Sequence, residues 1–338
     1  MQLGRYTIEG ELGRGGIGVV YRGRDPHGRE VAIKFLRQWR PGSGERFARE
    51  ARLHMQLGEE AGFVPLLDVG EGPQGPYLVM PLLTGGTLRE RLHTGPLEIG
   101  EAVELGRRLA RALAGAHRNG IVHRDVKPEN VLFDGEGQAL MADLGLAKHF
   151  RQDVSGASQS VALSRSGVMR GTAGYMAPEQ LRDASKVGPE ADVFALGAVI
   201  YECLSGQPPF DAPTYVELIA RIARAERPAL RSLRRDVPAW LVRVVDRAMA
   251  VDPAKRYPDA AALHDALAVG GPSRRAALPL ALAGLGGLAA LGLAFAGRSA
   301  EPEASASPAP SEPRVAQASP SPSQSAARAL TFAWRRSS

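Results

Sequence analysis

Two different periods of hydrophobic residues divide the chain. From residue 5 to about residue 80, short runs such as RYTIEGEL, GVVYRGR, REVAIKFL and PYLVM have the length and residue content of strands. One stretch with a helical pattern, RFAREARLHMQL, interrupts them. The order predicts a small, mostly β lobe carrying one helix. From Gly100 the period becomes that of a helix, with Leu105, Leu109 and Leu113 at i, i+4 and i+8 of EAVELGRRLARALAGAH. Residues 192–204, DVFALGAVIYECL, are apolar on almost every side, which marks a helix buried inside a large domain. A second, mainly helical lobe is therefore expected, closing at about residue 270.

Beyond that point the pattern changes again. A short linker, residues 271–275, ends in Arg274 and Arg275, and residues 276–297 then run for 22 positions without a charge. That length suffices to cross a hydrocarbon core of about 30 Å and predicts one membrane-spanning helix. Arg298 on the far side is followed by Glu301 and Glu303, so the excess of basic charge places residues 1–270 in the cytoplasm and the C-terminal tail across the membrane. Residues 298–338 are rich in Pro, Ser and Ala, a composition that buries too little apolar surface to offset ordering entropy, and disorder is expected there.

Composition narrows the classes without choosing among them. A 338-residue chain with 44% hydrophobic residues can build a large core. Lys and Arg number 42 against 36 Asp and Glu, a net charge of +6, but the charges are interspersed and no nucleic-acid partner is expected. Cys203 is the sole cysteine, which excludes an intramolecular disulfide framework and reads as a small buried hydrophobe. The first residues lack the apolar stretch of a signal peptide, so the N-terminal body is expected to stay in the cytosol.

Candidate chemistry begins at Leu12, where Gly13, Gly15 and Gly18 give GxGxxG, with Val20 two residues on. Glycines between two strands let backbone N–H groups approach a phosphate that side chains would block. A dinucleotide fold would need a helix directly after this loop, whereas VVYRGRDPHGREVAIK continues as strand, turn and strand. The second strand ends in Val31-Ala32-Ile33-Lys34, and Glu50 follows in the helical stretch, where it could pair with Lys34. Then come His123-Arg124-Asp125-Val126-Lys127-Pro128-Glu129-Asn130 and Ala142-Asp143-Leu144-Gly145.

These motifs together resemble the eukaryotic-type (Hanks-type) serine/threonine protein kinase family in its bacterial transmembrane branch. The resemblance implies an α+β, bilobal protein kinase fold for residues 1–270, with the small lobe at about 1–80, a hinge at about 80–84 and the large lobe at about 85–270. It implies ATP and Mg²⁺, with Mn²⁺ as a substitute, and protein substrates modified on Ser or Thr. Asp125 would accept the proton of the substrate hydroxyl, Lys127 would reach the γ-phosphate, and Asn130 and Asp143 would hold the metal ions. Leu12, Val20, Ala32, Met80, Pro81 and Leu83 would line the nucleotide site, with Met80 as gatekeeper. Arg124 implies control by phosphorylation, and Ser164 and Ser166 are the favoured autophosphorylation sites on the activation segment. Thr172, in the docking segment Gly171–Glu179, would contact Asp125 and Lys127 and favour Ser or Thr over Tyr. Glu179 and Arg256 resemble a buried ion pair of the large lobe, and Asp192 would hold the catalytic loop by accepting its backbone N–H groups. Glu129 is a candidate for favouring a basic residue near the target hydroxyl.

Three features depart from the family pattern: Pro81 in the hinge, Leu144 in place of the commoner Phe, and His54 where an apolar residue is expected. An active enzyme that autophosphorylates in trans through a homodimer is the reading adopted. A nucleotide-binding pseudokinase scaffold is the alternative, and loss of Lys34, Asp125, Asn130 or Asp143 would have favoured it. A small-molecule kinase would lack the Gly171–Glu179 segment.

Overall fold

The computed structural model describes residues 1–14, 18–36, 51, 55, 57, 58, 61–144, 173–183 and 187–270, which fall within one compact unit, Met1–Gly271. Strands β1 (Gln2–Leu3), β2 (Tyr6–Arg14), β3 (Gly18–Arg24), β4 (Glu30–Leu36), β5 (Asp68–Gly72) and β6 (Gly75–Pro81) form one antiparallel sheet in the order β1-β2-β3-β4-β6-β5. Ala51 and Met55, from the expected helix of this lobe, have helical backbone. The β3–β4 turn is tied by Asp25, whose Oδ1 accepts from the N–H groups of His27 and Arg29 at 2.8 and 2.9 Å.

Alternation along the strands sorts the side chains onto two faces. Val31, Ile33 and Phe35 join Tyr77 and Val79 in one cluster with Leu3 and Tyr6. Leu36, Leu78 and Met80 join Val64 and Leu66 in another, which reaches Leu140 and Ala142 of the large lobe. The register pairs Val20 with Lys34, Lys34 with Leu78, and Ala32 with Met80. Directly opposed residues point the same way, so Val20, Ala32, Lys34 and Met80 all face the second cluster.

The large lobe contains α1 (Leu88–Leu92), α2 (Ile99–Arg118), α3 (Pro178–Arg182), α4 (Pro189–Ser205), α5 (Tyr215–Arg224), α6 (Leu230–Leu233), α7 (Ala239–Ala248) and α8 (Ala260–Gly270), with a hairpin of β7 (Val131–Phe133) and β8 (Ala139–Met141). Thr87 starts α1 with a capping box to Glu90. Helix α2 buries Ala102, Gly106, Leu109, Ala110, Leu113 and Ala116, while Leu105 lies at the margin of that face. Helix α4 is buried continuously from Ala191 to Leu204 and ends at Gly206, whose φ of 73° suits a residue without Cβ. The chain's apolar helix thus packs against α2, α6, α7 and α8, and Cys203 sits inside it with burial pushing its thiol pKa up.

Among the described residues no helix is long and apolar enough to cross a membrane. The expected span 276–297, its linker 271–275 and the tail 298–338 lie outside the described residues.

Candidate active site

Loop geometry between α2 and β7 starts from one buried carboxylate. Asp192, in the first turn of α4 and fully buried, accepts from the backbone N–H of His123 at 2.7 Å on Oδ2 and from that of Arg124 at 2.8 Å on Oδ1. His117, in the last turn of α2, lies 2.9 Å from Oδ2 through Nε2 and accepts from the N–H of Ala260 on Nδ1. One carboxylate therefore ties α2, α4, the loop and the start of α8 together. Arg124 has φ of 64°, a left-handed conformation that a non-glycine residue adopts at a cost, and Gln180 in α3 donates to its carbonyl at 2.7 Å. His123 is wholly buried, with Nε2 donating to the carbonyl of Ala142 at 3.0 Å and Nδ1 accepting from the N–H of Asp125. Those partners select the tautomer protonated on Nε2.

The loop brings the polar residues together. Asn130, in a 3₁₀ turn of Pro128–Asn130, donates from Nδ2 to the carbonyl of Asp125 at 2.8 Å and to its Oδ2 at 3.1 Å. Lys127 Nζ is 3.1 Å from that same Oδ2. From the small lobe, Lys34 Nζ reaches Asp143 Oδ1 at 2.5 Å. Asp143 also has a left-handed backbone, φ 58°. Burial opposes the ionised form of Asp143, but the Lys34 ammonium outweighs both burial and the Asp125 charge, and the carboxyl titrates below its ordinary value of 3.8. Asp125, Asn130 and Lys34 are each at least nine-tenths buried, so the arrangement is a preformed polar site rather than a solvated face.

The nucleotide-lining candidates lie on or next to β2, β3, β4 and β6. Leu12 is half exposed at the end of β2, Gly13 pairs with Val20, and Gly18 pairs with Leu36. A Cβ on Gly18 would lie 1.8 Å from the carbonyl oxygen of Phe35, so only glycine fits there. Met80 is buried, Pro81 pairs with Val31, and Leu83 packs partly buried on the second small-lobe cluster. Leu144 is buried in the large-lobe core. Gly15, Glu50, His54, Ser164, Ser166 and Thr172 lie outside the described residues.

The residues that could hold a metal ion, Asp143 and Asn130, offer hard oxygens, a carboxylate and an amide oxygen. Both suit a small divalent cation that keeps water and takes its remaining ligands from phosphates. Among the described residues no group of three or more His, Cys, Asp or Glu gathers into a cage of the kind that would bind a metal alone.

Two structural clusters brace the site. Arg256, fully buried in side chain, gives all five N–H groups to acceptors: Glu179 Oε1 and Oε2 at 2.7 and 2.8 Å, and the carbonyls of Ala250, Glu190 and Val251. Its guanidinium also lies 4.9 Å from the centre of the Phe194 ring. The second cluster was not apparent from the sequence. Arg89 of α1 donates to Glu129 Oε1 at 2.8 Å, to Glu202 Oε1 at 2.6 Å and to the hydroxyl of Tyr175, which itself donates to Glu202. Burial and the Glu202 charge push the Tyr175 hydroxyl up, so it remains a donor. Glu129 thus already has a cation of this chain on one oxygen. His117 and Gln180 were missed likewise; each is an ordinary helix polar residue by sequence, and its partner lies 56 or more positions away.

A family model described as protein kinase domain matches residues 6–267. The serine/threonine-protein kinase PknL of Mycobacterium tuberculosis (strain H37Rv) is 37% identical over 264 residues, 77% of this chain and 64% of PknL. PrkC of Bacillus subtilis (strain 168) is 35% identical over 259 residues, 75% of this chain and 38% of PrkC. The chain thus spans less than two thirds of the length of these relatives. The crystal structure of the Mycobacterium tuberculosis PknI kinase domain aligns with a TM-score of 0.61 and 26% identity, covering 80% of this chain and 97% of that domain. With a six-stranded small lobe, a helical large lobe and a family match across both, the chain belongs to the eukaryotic-type serine/threonine protein kinase family.

Proposed function

We propose that the chain transfers the γ-phosphoryl group of ATP to serine and threonine hydroxyls of proteins. The convergence of Asp125, Lys127 and Asn130 on one loop, facing the Lys34–Asp143 pair, is the observation that carries this reading. Phosphoryl transfer asks a protein for alignment and for neutralisation of charge on the transferring oxygens, and these side chains supply both. The substrate hydroxyl oxygen forms the bond to the γ-phosphorus while the bond to the β,γ-bridging oxygen breaks, and the hydroxyl proton passes to Asp125. Asn130 donates to the Asp125 carboxylate and fixes its rotamer. Lys127, already 3.1 Å from that carboxylate, balances the γ-phosphate charge. Lys34 turns to the α- and β-phosphates, with Glu50 as its partner. Asn130 and Asp143 would hold Mg²⁺, or Mn²⁺ in its place, which supplies charge neutralisation across the phosphates. Leu12, Val20, Ala32, Met80, Pro81 and Leu83 enclose adenine, and Gly13, Gly15 and Gly18 let backbone reach the phosphates.

Regulation and location complete the proposal. Ser164 and Ser166 are autophosphorylated in trans within a homodimer, Arg124 binds the resulting phosphate, and Thr172 helps select Ser or Thr. Residues 276–297 anchor the chain in the cell membrane with the catalytic domain cytoplasmic; the 22 uncharged residues support this part. The test is phosphosite mapping of the full chain after incubation with Mg²⁺ and ATP. Phosphate on Ser164 or Ser166 that disappears in Asp125→Asn is expected. Nucleotide binding with no phosphate on the chain or on a generic protein substrate would overturn the proposal.

A further inference from the structure

Near the end of α8 the surface of the large lobe carries a tryptophan and several exposed arginines. Gly270 closes α8 against Trp240, the two so close that a Cβ on Gly270 would meet the indole at 2.0 Å. Trp240 belongs to α7, and positions 240, 243 and 247 recur at i, i+3 and i+7, on one side of that helix. Arg243 and Arg247 are exposed, and Arg231 and Arg235 are exposed just ahead of the same helix. Among the described residues none of these four arginines has a carboxylate partner; Arg231 reaches only the carbonyl of Arg235, and Arg247 lies 4.3 Å from the Tyr257 ring centre. Of the neighbouring acids, Asp246 pairs with Arg227 at 2.7 Å and Asp236 with Arg234 at 3.2 Å. Val269, 87% exposed, adds an apolar side chain one residue before Gly270.

We infer that this face of the large lobe binds the anionic headgroups of the membrane. The inference rests on the proposed span: residue 276 follows Gly270 closely enough that their separation cannot exceed about 20 Å, so Gly270 lies near any bilayer the apolar run enters. A partly buried tryptophan beside arginines without carboxylate partners suits an anionic interface, where indole rings settle at headgroup depth and each nearby arginine is attracted. Such contact would hold the catalytic domain in one orientation rather than leave it swinging on its linker.

Position 239 lies on the same exposed arc of α7, and Cys203 is buried, so Ala239→Cys in the full chain can be labelled selectively. The label is placed at 239, or at exposed position 27 of the small lobe as reference, and the chain is reconstituted into vesicles carrying lipid-borne quenchers. With about 30% phosphatidylglycerol, quenching at 239 is expected to exceed that at 27 by about threefold or more. The excess should vanish in Arg231→Gln/Arg235→Gln/Arg243→Gln and in about 0.5 M salt. A chain that inserts but shows equal quenching at both positions would overturn the inference while leaving the span intact. A chain stripped from vesicles by alkaline wash would overturn the span and the inference with it. Loss of the excess on adding a DNA duplex, with no dependence on phosphatidylglycerol, would assign the arginines to nucleic acid instead.

Discussion

Asp192→Asn removes no heavy atom from α4 and replaces one carboxylate oxygen with NH₂, yet it strikes the carboxylate on which the 123–130 loop hangs. All three groups facing Asp192 are donors: the N–H of His123, the N–H of Arg124 and Nε2 of His117. An asparagine has one oxygen, so its better orientation keeps the two bonds on Oδ2 and turns an NH₂ toward Arg124. Leaving the Arg124 N–H unpaired in the interior costs about 1–3 kcal/mol. The two surviving bonds fall from charge-assisted to neutral, a further loss of about 1 kcal/mol each. The sum is about 3–5 kcal/mol, and at roughly 2–4 °C per kcal/mol for a domain of this size the melting temperature should fall by about 10 °C. The same bond helps hold Arg124 at φ 64°, next to Asp125, so released strain moves the Asp125 carboxylate. Thermal unfolding and peptide phosphorylation below the melting temperature are measured together. The expected result is the fall in stability with kcat reduced about tenfold or more and ATP affinity changed by less than about threefold. An Asn variant within about 0.5 kcal/mol of wild type, with kcat unchanged, would refute the idea that Asp192 preorganises the loop.

Other substitutions probe separate links. Gly18→Ala should lower stability by about 2 kcal/mol or more because its methyl meets the Phe35 carbonyl at 1.8 Å, whereas Gly13→Ala, with nothing within 4 Å, should stay within about 0.5 kcal/mol; denaturant midpoints of the two compared will decide. Ala225 caps α5 at φ 52°, so Ala225→Gly should gain about 1 kcal/mol in the same assay, and a loss would show that the strain is absent. Because Asp143 titrates below 3.8 beside Lys34, its pairing stabilises the fold above that value and is lost as pH falls through the lowered one. The stability difference between wild type and Lys34→Met should therefore hold steady from neutral pH down to about 5 and shrink below about 4, and a difference constant to pH 3 would contradict the pairing. Glu179→Gln leaves the Arg256 guanidinium buried with its charge uncompensated and should cost about 3–5 kcal/mol; calorimetry showing a neutral effect would mean that the carbonyls alone satisfy it.

How far the sequence reached depends on the range of the interaction concerned. Helix α4 was legible because burial on all sides leaves its sequence apolar throughout, and the strands around Val20, Ala32, Lys34 and Met80 were legible because the length and residue content of a strand are local. Strand β1, two residues long, and β5, DVGEG, carry no such alternation and form only because β2 and β6 offer them edges. The 123–130 loop announced itself through residue types crowded into eight positions. Its supports did not: the Arg89–Glu129–Glu202–Tyr175 cluster joins residues 27 to 113 positions apart, and His117 meets Asp192 across 75. Such pairs are set by how α1, α2 and α4 pack, and a lone Arg or His on an amphipathic helix gives no sign of them. Glu129 was read as a candidate contact for a basic substrate residue, and its ion pair with Arg89 through one oxygen is an addition that only the packing of α1 reveals.

The most direct measurement follows labelled γ-phosphate from Mg²⁺–ATP onto peptides identical except for Ser, Thr or Tyr at the centre, using the full chain and Asp125→Asn. Transfer to Ser and Thr but not Tyr, reduced about 100-fold or more in Asp125→Asn, is the predicted result. Equal transfer by both proteins, or ATP binding without transfer to any peptide, would contradict the assignment of Asp125 and of the site built around it.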